Sequence, residues 1–198
     1  MNNQLSRSDL MTLEDYAAKR DEFRQMVIAH KKNRQVALGD HARLYFEDRV
    51  TMQYQVQEIL RIEKIFEGAD IEEELEAYNP LIPDGTNWKA TFMIEYDDPD
   101  ERRVALGRLL GIELKVWVRV GELDKIYPIA NEDLVRETED KTSAVHFLRF
   151  ELPTEVIAAA KNGEEIYMGV DHPEYEFETG ALPRHIADSL ASDLQRQH

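Results

Sequence analysis

His146 and His172 are the side chains whose type and setting best suit chemistry in this sequence. Alternation along VHFLRF places His146, Leu148 and Phe150 on one face of a strand, with Val145, Phe147 and Arg149 on the other. An imidazole therefore points with apolar neighbours. His172 follows a strand end beside Asp171, where a carboxylate can fix its tautomer. Joined by one carboxylate from Glu58, Glu63 or Glu95, the pair would form a two-histidine, one-carboxylate set that suits iron, zinc or manganese. The alternative is a hydrogen-bonded core histidine at 146 and a turn cap at 172, since spacing alone does not bring the two together.

A second group lies on a helical pattern. At about 100° per residue, Glu47, Tyr54, Glu58, Arg61 and Ile65 form a mostly polar stripe. Arg61 offers a planar fork to a carboxylate or phosphate, and Lys89 stands where a cleft between helices and sheet would open. Tyr54, Glu58, Arg61 and Lys89 are thus candidate ligand-binding residues, the ligand expected to be an acidic metabolite. An ordinary intrahelical ion pair, worth about 0.3 to 0.5 kcal/mol, is the alternative for the first three and the one their spacing favours. Glu63 falls within the apolar stripe, so it either sits at the helix rim or has a cationic or metal partner. Asn79, Asp84 and Asn87 would line the same cleft, or serve simply as turn formers.

Several chemistries lack a signature. No Glu is followed three residues later by His, as a di-iron helix bundle requires. There is no Gly-x-Ser-x-Gly elbow and no cysteine, which leaves nucleophilic catalysis and thiolate metal sites without support. Neither a Gly-x-Gly-x-x-Gly run nor a Walker loop marks a nucleotide cofactor.

The elements that must position these residues follow from periodicity. Thr12 and Asp15 have capping-box spacing, and apolar residues at Leu13, Tyr16, Ala17, Phe23 and Val27 predict a helix running to about residue 30. A short extended piece at 36–39 leads to Asp40 as the cap of a long helix over 44–67, with Met52, Val56, Ile59 and Phe66 on its buried face. Gly68 interrupts it. An acidic helix follows to residue 78, ended by Pro80 and the connector YNPLIPDG. The pattern then predicts a strand over 88–96, a helix over 99–110, a hairpin of strands 115–121 and 125–130, and an acidic linker over 132–140. A strand over 143–152, a helix over 153–161, a strand over 165–170 and an amphipathic end helix from Pro183 complete the chain.

Composition bounds the partners. The 40 acidic and 24 basic residues give a formal charge of −16, which repels a phosphate backbone and an anionic membrane surface alike. No apolar run approaches the roughly 20 residues that span a bilayer, and MNNQLSRSDL lacks the apolar core of a signal peptide, so a cytoplasmic location is expected.

The runs VALG, YQVQEILRIE, YNPLIPDG, KTSAVHFLRFEL and MGVDHPEY together resemble the bacterial domain-of-unknown-function family 3501, over roughly residues 11–175. The resemblance implies an accessory role beside rubrerythrin-like and iron–sulfur redox proteins, and supplies no catalytic residues. The expected architecture is α+β: an N-terminal helical layer packed on a mostly antiparallel sheet that carries two or three further helices. One compact unit is expected over 1–198, with a helical part at 12–78, a connector at 79–87, a sheet part at 88–175 and an end helix at 183–195. Three functions fit it: an accessory protein docking a basic redox partner, a mononuclear metalloprotein, and a small-molecule binder at the cleft. A homo-oligomer is compatible with each.

Overall fold

A computed structural model describes residues 3–132 and 141–195. The expected linker therefore lies, from 133 to 140, outside the described residues. Helix α1 (Leu13–Lys31) starts as its capping residues predict, with the Thr12 hydroxyl accepting the Asp15 N–H at 3.1 Å. Strands β1 (Gln35–Ala37) and β2 (Ala42–Phe46) follow.

The predicted long helix is divided. Its first turn is strand β2, because Ala42, Leu44 and Phe46 alternate inward, and helix α2 covers only Arg49–Glu63. Its cap is Asp48 rather than Asp40: the Asp48 carboxylate accepts the Thr51 N–H at 2.9 Å, and the Thr51 hydroxyl accepts the Asp48 N–H at 2.9 Å. Lys64 ends the helix in the left-handed region at φ 56°. Phe66 consequently falls outside α2 and is exposed, while Leu60 joins Met52 and Val56 on the buried face.

Helix α3 (Gly68–Tyr78) and a 3-10 turn, Asn79–Leu81, lead to β3 (Asn87–Ile94). Helix α4 (Pro99–Arg108), β4 (Val116–Val120), β5 (Ile129–Ala130), β6 (Val145–Glu151), α5 (Thr154–Asn162), β7 (Ile166–His172), β8 (Tyr175–Glu178) and α6 (Arg184–Ser192) complete the α+β fold.

Two antiparallel sheets stand where one was expected. The first has the order β1-β2-β3-β6-β5 and the second β4-β7-β8. The predicted hairpin after β4 reduces to one bridge, Val118 to Ile126, beyond which the chain crosses to pair β5 with β6. Strand β8 had no signal, since YEFE is half-exposed and carries charge at alternate positions.

Leu44, Phe46, Trp88, Phe92, Leu148 and Phe150 of the first sheet share one apolar core with Val116, Val118, Met168 and Val170 of the second, and with α5 and α6. A separate apolar cluster ties Leu5, Met52, Val56, Leu60, Ile71, Leu75 and Ile82 within the helical part. Between them lies the other face of the first sheet, where register aligns Tyr45, Thr91 and Phe147 and, one row on, Lys89 and Arg149. Those five side chains are half-buried. Among the described residues no helix is long and apolar enough to cross a membrane.

Candidate functional site

The half-buried sheet face, the helices and the connector enclose a cleft with two lobes. The first has a volume of about 610 Å³ and is walled by Ala77, Tyr78, Leu81 and Phe147, with Glu47, Glu74, Lys89, Glu132 and Arg149 as its charged groups. The second, about 420 Å³, reaches under α2 past Tyr45, Thr51, Met52, Thr91 and Met93. Glu47, Tyr78, Leu81 and Phe147 border both, so the lobes adjoin at those residues. A third hollow of about 520 Å³ lies along α4, between Tyr96, Val104 and Glu174.

Glu47 is fixed at the junction of the lobes by the turn from β2 into α2. Its Oε2 accepts the Thr51 hydroxyl at 2.7 Å and its Oε1 accepts the Thr91 hydroxyl at 2.8 Å. Its main chain is pinned as well: its N–H donates to Lys89 O at 2.8 Å and its carbonyl accepts Arg34 Nη2 at 3.0 Å. No cation pairs with it among the described residues.

The cations of the first lobe are already engaged. Lys89 Nζ donates to the carbonyls of Pro80 at 2.6 Å and Ile82 at 2.9 Å, which straps the connector to the sheet. Burial pushes its ammonium below the ordinary lysine value. Arg149 holds Glu132 through two bonds of 2.7 Å and also pairs with Glu151. The Arg149 guanidinium in turn holds the Glu132 carboxyl below its usual range. Glu74 differs: burial, then the nearby Glu63 and Glu73 charges, push its carboxyl up.

Of the candidate ligand-binding residues, only Lys89 reaches the cleft. Glu58 faces α1, accepting the Tyr16 hydroxyl at 2.6 Å and Arg20 Nε and Nη2 at 2.7 and 2.9 Å. Arg61 closes on Glu58 at 3.3 Å, and Tyr54 packs against Phe23 with Lys31 Nζ 5.9 Å from its ring centre. These three join two helices. Asn79 likewise binds the Leu5 main chain, and Asn87 donates to Glu151.

The candidate metal residues are dispersed. His146 lies on the core face of β6, fully buried, as alternation predicts. Its Nε2–H is directed at Ser143 O, 2.9 Å away, with the Thr142 hydroxyl at 3.0 Å, and its Nδ1 faces the Asn131 amide at 3.0 Å. The buried Glu113 carboxylate stands 3.9 Å from Nε2. His172 ends β7 in the other sheet, donating from Nε2 to Leu110 O at 3.0 Å and accepting the Glu174 N–H on Nδ1 at 3.2 Å. Both of its ring nitrogens are thereby used. Glu63 is exposed at the end of α2, and Glu95 binds Tyr45 at 2.7 Å and Arg43 at 3.4 Å. Among the described residues no three His, Asp or Glu side chains converge on a metal-sized position. The expected trio of His146, His172 and Glu63 is thus not assembled: each histidine is engaged by its own neighbours, and Glu63 is exposed at the end of α2.

Fold and cleft together define a two-sheet α+β protein with a ligand-sized hollow beneath a helical layer. The chain belongs to the family described as Protein of unknown function (DUF3501), which matches residues 4–194. It is similar to a protein of known structure from Burkholderia pseudomallei K96243, described as a novel protein of unknown function. That similarity has 50% identity and a TM-score of 0.92, and covers 97% of this chain and 100% of the other. Comparison with curated proteins gives no match.

Proposed function

We propose that the protein is a small-molecule binding protein whose ligand occupies the cleft between the helical layer and the outer face of the first sheet. The observation that carries this is the pair of adjoining lobes, of about 610 and 420 Å³, that share Glu47, Tyr78, Leu81 and Phe147 as walls. Such volumes fall in the range of small-molecule sites, which combine apolar walls with a few placed polar groups. Tyr78, Leu81 and Phe147 supply the walls here, and Glu47, fixed by two hydroxyls, supplies a placed polar group. The acidic residues Glu72, Glu73 and Glu76 of α3 are exposed, and charge complementarity would suit them to a basic partner in the accessory role that the family resemblance implies. Charge alone selects no partner, so the cleft is the better supported site.

Thermal-shift screening of the full chain against a metabolite library tests the proposal, with Leu81→Trp as the variant that fills the cleft. Stabilisation of the natural chain by a ligand that leaves Leu81→Trp unmoved is the expected result. A library that stabilises neither, or both equally, would overturn it.

A further inference from the structure

The same cleft also carries a statement about the charge of its ligand, which rests on the binding function proposed above. An acidic ligand would need a cation with free donors, and the first lobe has little to give. Arg149 is held by Glu132 and Glu151, and Lys89 spends two of its three donors on main-chain carbonyls. Lys31, at the edge of the second lobe, lies toward the Tyr54 ring. The carboxylates show the opposite state. Glu47 uses two of its roughly four acceptor positions on hydroxyls and faces both lobes. Glu74, on the wall formed by α3, has neither a hydrogen bond nor an ion pair among the described residues, and two further glutamates stand near it. The same lobe is lined by Ala77, Tyr78, Leu81 and Phe147, an apolar surface suited to an alkyl chain or an aromatic ring.

We propose that the cleft binds an organic amine, with its ammonium group on Glu47 and its apolar body against Tyr78, Leu81 and Phe147. A cation there would complete the coordination of Glu47, and a second ammonium on a diamine would relieve the crowded charge around Glu74. Ammonium–carboxylate hydrogen bonds in a half-buried site are among the stronger polar contacts, which is why this end of the ligand would fix its orientation.

Matched probes separate charge from shape. Titration calorimetry of the full chain at about 0.15 M salt would compare 2-phenylethylamine with 3-phenylpropanoate, and 1,8-diaminooctane with octanedioate, since surface attraction is screened under those conditions. The amines are expected to bind and the acids not, with Glu47→Gln weakening the amines about tenfold, the loss expected when a charge-assisted bond becomes a neutral one. Glutamine keeps one acceptor oxygen for a threonine hydroxyl and offers its amide N–H to the other, which can turn to accept it. Should Glu47→Gln not fold, Glu74→Gln replaces it, expected to weaken the diamine more than the monoamine. Binding of the acids in preference, unaltered amine binding in both glutamine variants, or amine binding that persists in Leu81→Trp would each overturn the inference. If the amines fail while other library molecules are captured in a Leu81→Trp-sensitive way, the inference falls and the cleft stands. If nothing at all is captured, both fall.

Discussion

Arg34 and Asp193 meet at 2.5 Å although 159 residues separate them in the chain. The guanidinium is 2% exposed and also donates to the carbonyls of Phe46 at 3.1 Å and Glu47 at 3.0 Å. It thereby joins the turn after α1, the junction of β2 with α2, and the turn after α6. Asp48 stands 3.4 Å from the same guanidinium and pairs with His30 at 2.6 Å.

That pair sets a pH dependence. Burial pushes the Asp193 carboxyl up from 3.8 to about 6, against the opposing pull of Arg34 and with Asp48 adding to the rise and His30 subtracting from it. A carboxyl raised in the fold favours the native state most at pH below 3.8. Its contribution is lost as pH rises from about 4 to 6, by roughly 3 kcal/mol for a difference of about two pH units. Urea midpoints at pH 4, 5, 6 and 7 should show the stability of the natural chain declining over that interval relative to Asp193→Asn. Removing the cation with Arg34→Met should cost about 3 kcal/mol at pH 7 and less at pH 5, where Asp193 takes up a proton.

Glu58 behaves in the opposite sense. Arg20, then Tyr16 and Arg61, hold its carboxyl down from 4.5 to about 2 against the cost of burial. Its contribution is present above pH 4.5 and disappears as pH falls through 2. Glu58→Gln should lower stability by about 1 to 2 kcal/mol at pH 7, with the deficit shrinking toward pH 3, read by thermal melting.

Lys64 holds a left-handed conformation, at φ 56°, with its side chain exposed. That conformation costs a non-glycine residue about 1 to 2 kcal/mol, whereas glycine adds about 0.5 to 1 kcal/mol of unfolded-state entropy. Lys64→Gly should therefore stabilise the protein by about 0.5 to 1 kcal/mol, seen as a higher denaturant midpoint with an unchanged slope.

Gly169 is a close-approach position. A Cβ there would lie 2.4 Å from the Phe177 carbonyl oxygen and 2.4 Å from the Trp117 ring. Gly169→Ala should destabilise by about 1 to 3 kcal/mol, since neither neighbour has room to move within paired strands. Loss of near-ultraviolet dichroism from Trp117 at temperatures where the natural chain keeps it would report the effect.

Local signals are legible in the sequence, and long-range ones are not. Thr12 caps its helix, and alternation puts Phe147 and Arg149 together on the face that lines the cleft. The run LYFEDRV satisfied both helical and strand periods, and the choice was made by Leu44 and Phe46 pairing with Phe92 and Ala90, which no local pattern records. By sequence Glu47 falls into a helical stripe for the same reason. Its role depends on Thr91, 44 residues away, so its neighbours were invisible until the strands were in register. Arg61 and Lys89 group by charge in the sequence, yet the first turns toward Glu58 and the second toward the connector carbonyls. Alternation puts His146 on the face it occupies, whereas His172, expected just past a strand end, is the last residue of β7, and nothing in the spacing says that the two strands belong to separate sheets.

The two tryptophans are fully buried, one in each sheet: Trp88 donates its indole N–H to Leu190 O at 2.9 Å, and Trp117 donates to Asp171 at 2.9 Å. The molecule thus contains two intrinsic fluorophores with separate addresses. A red shift confined to Trp88, isolated in Trp117→Phe, would register release of α6 from the first sheet, and one confined to Trp117, isolated in Trp88→Phe, would register opening of the second.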